Sequence, residues 1–285
     1  MKWERGYRSS DVEDRRGAGL SGGLFGPIVA IGSRFGIIGI VTAVGLFFAA
    51  RAFLGGDTPM SATSNPGEAR SPASSTDEMA SFVSFVFDDT QKVWTEKLAG
   101  RGRRYGRTKL VLFTNSTSTS CGYGSAAVGP FYCPLDHQVY IDLGFFRELE
   151  RRFVAPGDFA QAYVIAHEVG HHVQTLLGMR TPDGTAHGRE SRSAASVKFE
   201  LQADCFAGVW ANSTQQRDLL EHGDIDEALG AAAAIGDDRL QRQSTGTVNP
   251  ETFTHGSSEQ RGYWFRRGLA SGDMDTCDTS SEARL

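Results

Sequence analysis

The sequence predicts an α+β domain, mainly helical with a small sheet, behind one N-terminal transmembrane helix. Three observations support this prediction. An apolar run lies near the N-terminus, two short segments rich in β-branched and aromatic residues follow, and patterns with helical spacing fill most of the second half. With 285 residues the chain can bury a core, and its formal net charge of -5 indicates no nucleic-acid partner.

The apolar run extends from residue 35 to residue 54 and is interrupted only by Arg51. A helix that spans a bilayer needs about 20 residues, and an arginine near its end can extend its guanidinium to the headgroups. A signal peptide is the alternative, but this run exceeds the roughly 7 to 15 residues of a signal's apolar core and starts late in the chain. The sequence therefore predicts a transmembrane helix at 35–54.

Charge and composition predict the regions around this run. Basic residues before it outnumber the single Arg51 near its end, so the positive-inside rule makes residues 1–34 cytoplasmic and everything after residue 54 extracytoplasmic. Residues 1–34 are polar and Gly-rich, which predicts a disordered lead, and residues 55–76 have the composition of a flexible linker. The folded domain is therefore predicted at 77–285.

Each element of that domain is predicted from its local pattern. Apolar residues at helical spacing behind a Ser/Thr/Asp cap region predict a helix over 77–98. Strands are predicted over 109–114 and 138–145, and the second is either a sheet edge open to an extended peptide or an interior strand. After Pro156 and Gly157 the pattern predicts helices over 158–177, 190–211, 224–241 and 256–270.

A histidine pair with a neighbouring glutamate stands in the helix predicted over 158–177. In VIAHEVGHHVQ, His167 and His171 are four residues apart and about 40° apart around the helix axis, so both imidazoles can reach one ion. Glu168 would lie beside the open coordination position, where its carboxylate can take a proton from water. The motif predicts a catalytic zinc site with Glu168 as general base. The alternative is a pair of solvated or core-packed histidines.

A catalytic zinc ion needs a third protein ligand. The helix predicted over 190–211 contains FELQADCFAG, in which Glu200 and Asp204 are four residues apart and project from one face. We expect Glu200 to bind the metal and Asp204 to accept the second ring N–H of a ligating histidine, and the alternative is a pair of exposed charges. His187 is a second choice of ligand. His172 is predicted to be structural or solvent-exposed.

Peptide hydrolysis also requires a group that stabilises the developing oxyanion. His255, in FTHGSSEQR just before the last predicted helix, is the preferred candidate. Alternatively, His255 caps that helix or packs against Trp264. Tyr140 and Tyr263 are second choices for the same role.

Four separated blocks resemble one known family. They are HEVGHHVQ, ELQADCFAG, CGYGSAAVGPFYCPLDHQVYIDLGFF and THGSSEQRGYWFRRG, and together they resemble the bacterial family described as "Putative neutral zinc metallopeptidase" over residues 77–285. The Glu-x-x-x-Asp arrangement is also similar to that of the gluzincins, including membrane zincins that process prenylated proteins. The resemblance implies a zincin fold and one Zn2+ per chain with Glu200 as third ligand, and it implies little about the substrate.

Four cysteines, all downstream of the apolar run, agree with an exported domain because an even number there usually means disulfides. Cys121 and Cys133 would close a short loop, which leaves Cys205 to pair with Cys277, although four cysteines permit three pairings. Zinc ligation by cysteine is the rival interpretation, but Cys121 and Cys133 lack the CxxC spacing of structural zinc sites.

These features predict a zinc metalloendopeptidase that is anchored in the cell membrane and acts on peptide or protein substrates. Two other functions remain open from the sequence. One is a catalytically inactive zincin-fold protein that binds or scaffolds in the cell envelope. The other is a zinc hydrolase of a different amide, such as a cell-wall crosslink. The sequence indicates no oligomeric state.

Overall fold

The structure is a computed structural model that describes residues 1–17, 75–151, 157–179 and 192–280. Met1–Arg16 and Ser74–Leu285 form one compact unit, and the second unit, Gly17–Ala73, lies outside the described residues except at Gly17. The predicted transmembrane helix at 35–54 is therefore outside the described part of the chain, as is most of the predicted linker. In the described ranges no helix combines the length and the apolar character needed to cross a bilayer.

The described residues form a mixed sheet, a small hairpin and a set of helices. The strands are β1 Val12–Asp14, β2 Lys109–Phe113, β3 Ser116–Thr119, β4 Gly122–Ser125, β5 Phe131–Cys133 and β6 Gln138–Asp142. The helices are α1 Ser75–Ala99, α2 Gly144–Arg151, α3 Asp158–Leu176, α4 Arg192–Gln216, α5 Asp224–Ala234, α6 Asp237–Thr245 and α7 Ser258–Ser271. A mainly helical α+β domain with a small sheet, as predicted, is confirmed.

The sheet has the strand order β1-β2-β6-β5. Strands β1, β2 and β6 are parallel, whereas β5 is antiparallel to β6 and forms one edge. Nearly all residues of β2 and β6 are buried, which suits apolar strands that are covered on both faces. Of the two positions considered for the segment 138–145, the interior one is observed. This strand ends at Asp142 because α2 begins at Gly144.

Most predicted helices are present with shifted ends, but the single helix predicted over 224–241 is wrong. α5 ends at Ala234 and α6 begins at Asp237. The break lies where Gly236 approaches the start of α7, since an added Cβ there would lie 2.5 Å from the Ser258 nitrogen. The helical pattern on either side of Gly236 does not reveal this tertiary contact.

Residues 1–16, here called the N-terminal arm, pack against the domain. β1 pairs with β2 in the register Val12 to Leu110, and Trp3 packs edge-on against Phe82 of α1 with ring centroids 5.3 Å apart. The prediction of a disordered lead is therefore wrong for these residues. The edge of β2 and the apolar surface of α1 supply partners that the arm's own composition does not reveal.

Close helix crossings hold α4 between α3 and α7. An added Cβ at Gly170 of α3 would lie 3.1 Å from the Ala203 carbonyl oxygen of α4, and one at Gly268 of α7 would lie 2.0 Å from the Cys205 carbonyl oxygen. Only glycine permits the second approach, so the backbones of α4 and α7 are in contact. These crossings place the middle of α4 beside His167, Glu168 and His171 of α3.

Two disulfides complete the fold. Cys121 bonds Cys133, with an S–S distance of 2.03 Å, and this bond ties the β3–β4 hairpin to β5. Cys205 bonds Cys277 and ties the C-terminal segment to α4. The predicted pairing of the four cysteines is confirmed.

Candidate metal centre and its cleft

Three side chains from α3 and α4 converge at one point. The Nε2 atom of His167 lies 3.2 Å from one carboxylate oxygen of Glu200, and the Nε2 atom of His171 lies 3.5 Å from the other. One ligand atom from each residue falls within 4.8 Å of the other two. Two imidazole nitrogens and a carboxylate oxygen form a ligand set of catalytic zinc sites, so these residues fit a zinc ion.

The opposite nitrogen of each imidazole is held by a second side chain. The Nδ1 atom of His167 lies 2.8 Å from Asp204 Oδ1, and the Nδ1 atom of His171 lies 2.8 Å from Gln174 Oε1. These contacts direct both Nε2 atoms towards Glu200. Such outer partners fix the tautomer and ring orientation of metal-binding histidines. The sequence predicted Asp204 in this position but missed Gln174, although its place three residues after His171 on one helix was a usable signal.

Charge in this cluster is balanced within the protein. Burial disfavours the imidazolium of His167, but the Asp204 carboxylate outweighs burial and raises the pKa of His167 to about 10. Burial would raise the pKa of Glu200, yet the neighbouring His171 and His167 hold it well below its usual value. Glu200 therefore stays ionised.

Arg261 of α7 is the main residue that sequence reasoning missed. It is 2% exposed, and its Nε and Nη2 atoms each donate a hydrogen bond of 2.9 Å to the Asp204 carboxylate. Tyr163 donates a further bond to Asp204. Burial would raise the pKa of Asp204, but the charges of Arg261 and His167 lower it. Without Arg261 the negative charge of the buried Asp204 carboxylate would be only partly neutralised. A buried charge without its partner strongly destabilises the folded protein.

Glu168 lies beside the cluster and lines the same cleft. It is only 7% exposed, and burial raises the pKa of its carboxyl group above the usual value, although the two histidines oppose the shift. A raised pKa suits a carboxylate that first accepts a proton and later releases it near neutral pH.

The cleft has a volume of about 1540 Å³. One wall is the edge strand β5, and much of the lining is apolar or aromatic. The lining includes Val128, Phe131, Tyr132, Leu135, Phe145, Phe199, Ile235 and Leu240. Val128 and Leu135 are more than two-thirds exposed. The cleft is therefore wide enough and apolar enough to take peptide side chains.

His255 lines this cleft as well and is held by Asp237 at the start of α6. The Nδ1 atom of His255 lies 3.2 Å from Asp237 Oδ1. The second oxygen of Asp237 accepts backbone N–H bonds from Thr254, His255 and Gly256, which fixes the loop before α7. The hydrogen bond to Asp237 raises the pKa of His255, and the negative charge of Glu200 adds to the shift.

The two tyrosines considered for the oxyanion do not line the cleft. The Tyr140 hydroxyl donates to Asp136 at 2.9 Å, and its ring belongs to a separate small apolar cluster. The Tyr263 hydroxyl accepts a bond of 3.1 Å from Arg267. His255 is thus the one of the three candidates that reaches the cleft.

His172 and His187 are not placed in the cluster. His172 is buried, and its ring nitrogens contact the Tyr132 hydroxyl at 3.0 Å and the Gly106 carbonyl oxygen at 2.6 Å, so its role is structural. His187 lies outside the described residues.

Comparison with known proteins gives a consistent result. A family model described as "Putative neutral zinc metallopeptidase" matches residues 1–280. The chain is 44% identical to the protein YpfJ of Escherichia coli strain K12 over 286 residues, which cover 98% of each chain. It is 47% identical to Rv2575 of Mycobacterium tuberculosis strain H37Rv over 205 residues, which cover 68% of each chain. No solved structure gives a significant match.

Proposed function

The chain belongs to the neutral zinc metallopeptidase family, and on this premise we propose that it hydrolyses peptide bonds with Glu168 as general base. One observation carries the proposal. Two imidazoles of α3 and the Glu200 carboxylate of α4 converge within 4.8 Å of one another, with Glu168 beside them in a peptide-sized cleft.

The residues of the cleft have distinct roles in this proposal. Zinc held by His167, His171 and Glu200 would supply Lewis acidity and make water a stronger acid. Glu168 accepts the proton of the attacking water and then donates it to the leaving amine. His255, whose protonated form is favoured by its contact with Asp237, donates a hydrogen bond to the oxyanion.

The edge strand β5 offers a way to hold the substrate. It lines the cleft, and only its β6 side is paired in the described sheet. An extended peptide that adds to this edge would be bound through its backbone, so sequence preference would be low. We therefore expect an endopeptidase that selects extended, partly apolar segments.

A scaffolding protein with the same fold is the less favoured function. A structural metal site needs no general base, and burying the carboxyl group of Glu168 without a catalytic role has a free-energy cost. A hydrolase of a different amide, such as a cell-wall crosslink, would use the same groups, so the substrate must be tested directly.

The proposal is tested with the purified, zinc-loaded full-length chain. A peptide library and cell-wall fragments are incubated with it, and mass spectrometry identifies the new termini. We expect new amino termini within peptides, their loss on chelation and their return with added zinc. Cleavage of wall fragments without cleavage of peptides would show that the chain hydrolyses a different amide and is not a peptidase. No cleavage of either substrate by a zinc-loaded chain would favour the scaffolding function.

The contact between His255 and Asp237 predicts a change in pH dependence. His255→Ala is expected to lower kcat by about 10²–10³-fold, as for the loss of one oxyanion donor. Because Asp237 raises the pKa of His255, Asp237→Asn should lower that pKa and move the alkaline limb of the kcat profile to lower pH. Kinetics between about pH 5 and pH 10 measure both effects.

His222→Ala is the matched control for this series, since His222 is exposed on the surface outside the cleft. It should leave the profile unchanged. An unaltered alkaline limb in Asp237→Asn, with full kcat in His255→Ala, would remove His255 from the mechanism.

A further inference from the structure

The N-terminal arm contacts the domain at several points between Met1 and Arg15. Its backbone continues the sheet, since the Leu110 N–H donates to the Asp11 carbonyl at 2.9 Å and the Arg15 N–H donates to the Leu112 carbonyl at 2.8 Å. At its start the Lys2 N–H donates to the Leu219 carbonyl at 2.7 Å. These bonds need the arm and the domain to be in direct contact.

Side chains reinforce the contact between the arm and α1. Tyr7 packs edge-on against Phe85, with centroids 5.6 Å apart, and its hydroxyl donates to Asp88 at 3.0 Å. Arg107 of the domain bridges Asp11 of the arm, at 2.5 Å, and Asp88, at 2.7 Å. Aromatic packing and a charge pair thus act at the same place.

Contacts of the arm also account for most of its positive charges. Lys2 pairs with Asp218 at 2.8 Å, and Arg5 lies 3.4 Å from Glu78. Arg15 and Arg16 pair with Glu13 and Asp14 inside the arm. These cations therefore have carboxylate partners, and their number before the apolar run is no longer specific evidence that the N-terminus is cytoplasmic.

A single membrane crossing at 35–54 is incompatible with these contacts. It would separate the arm from the domain by a hydrocarbon layer about 30 Å thick, whereas paired strands lie about 4.8 Å apart. Residues 16 and 75 flank the apolar run and belong to the described arm and domain. These two residues must therefore lie on the same side of any membrane.

We propose that the N-terminal arm and the domain share the extracytoplasmic side of the membrane, in place of the single-pass topology predicted from charge. The side follows from the two disulfides of the domain, which form and persist in an oxidising compartment. The family match supports the inclusion of the arm, since it begins at residue 1.

Cysteine labelling of the full-length chain in spheroplasts tests the shared side. Arg8→Cys reports on the arm and Lys92→Cys on the domain, and both positions are exposed. No native cysteine is free among the described residues, and the four in the sequence all form disulfides. With a membrane-impermeant maleimide, we expect the ratio of labelling before lysis to labelling after lysis to be near 1 for both variants.

Protection of either position until lysis would overturn the proposal, and the single-pass topology predicts a ratio near zero for Arg8→Cys alone.

A crosslink in the membrane fraction tests arm docking separately. A short bismaleimide should join Arg5→Cys to Glu78→Cys but not to Glu96→Cys, because Glu96 lies about 27 Å further along α1. Equal crosslink yields for the two cysteine pairs, or no crosslink in either pair, would contradict docking of the arm on the domain. Neither readout depends on peptidase activity.

Discussion

Replacement of Glu168 by glutamine is expected to lower kcat by about 10²–10⁴-fold, the usual contribution of a general acid–base group. Glutamine has nearly the same shape but cannot accept the proton of the attacking water. Zinc content should stay the same, because the convergent ligand atoms belong to His167, His171 and Glu200. The measurement is kcat on a cleaved peptide, with metal analysis of the same preparation.

Glu96→Gln serves as the matched control for this change. Glu96 is an exposed glutamate near the end of α1 and does not line the cleft. Glu96→Gln should keep full activity. This result would show that neither a glutamate-to-glutamine change as such nor the purification lowers kcat. Equal kcat for Glu168→Gln and the unchanged chain, at equal zinc content, would end the proposal that Glu168 is the general base.

The sequence predicted best those features that depend on one helix. His167, Glu168 and His171 share a short motif, and helical geometry alone places the two imidazoles together. The partner helix was also predictable, because Glu200 and Asp204 repeat the spacing of four residues. What the pattern could not give is the distance between the two helices, which depends on the close crossing at Gly170.

Features that arise from long-range contacts were missed. Arginine is usually exposed, and Arg261 is buried only because α7 crosses α4 at Gly268. β1 is three residues long and carries two acids, so its strand character comes from pairing with β2 and not from propensity. The ion pairs of Lys2 and Arg5 were missed for the same reason, since their partners lie more than 70 residues away.

The second large effect is expected from removal of the third ligand. Loss of an outer hydrogen-bond partner of a metal ligand typically costs about 10–100-fold in metal affinity. Glu200→Ala removes an oxygen donor itself and leaves His167 and His171 without the carboxylate between them. We therefore expect zinc affinity to fall by more than that range, so that dialysed protein retains no zinc and shows no peptidase activity.

A second group of acids supplies the control for this experiment. Asp158, Asp224 and Glu227 also come close enough for a cation, but the Met1 ammonium lies 2.6 Å from Asp158 and 3.3 Å from Asp224. Because this group already has a positive partner, Glu227→Ala should keep one zinc per chain. Metal analysis and competitive chelator titration distinguish the two sites. Zinc retained in Glu200→Ala and lost in Glu227→Ala would place the metal in the second group and exclude Glu200 as its ligand.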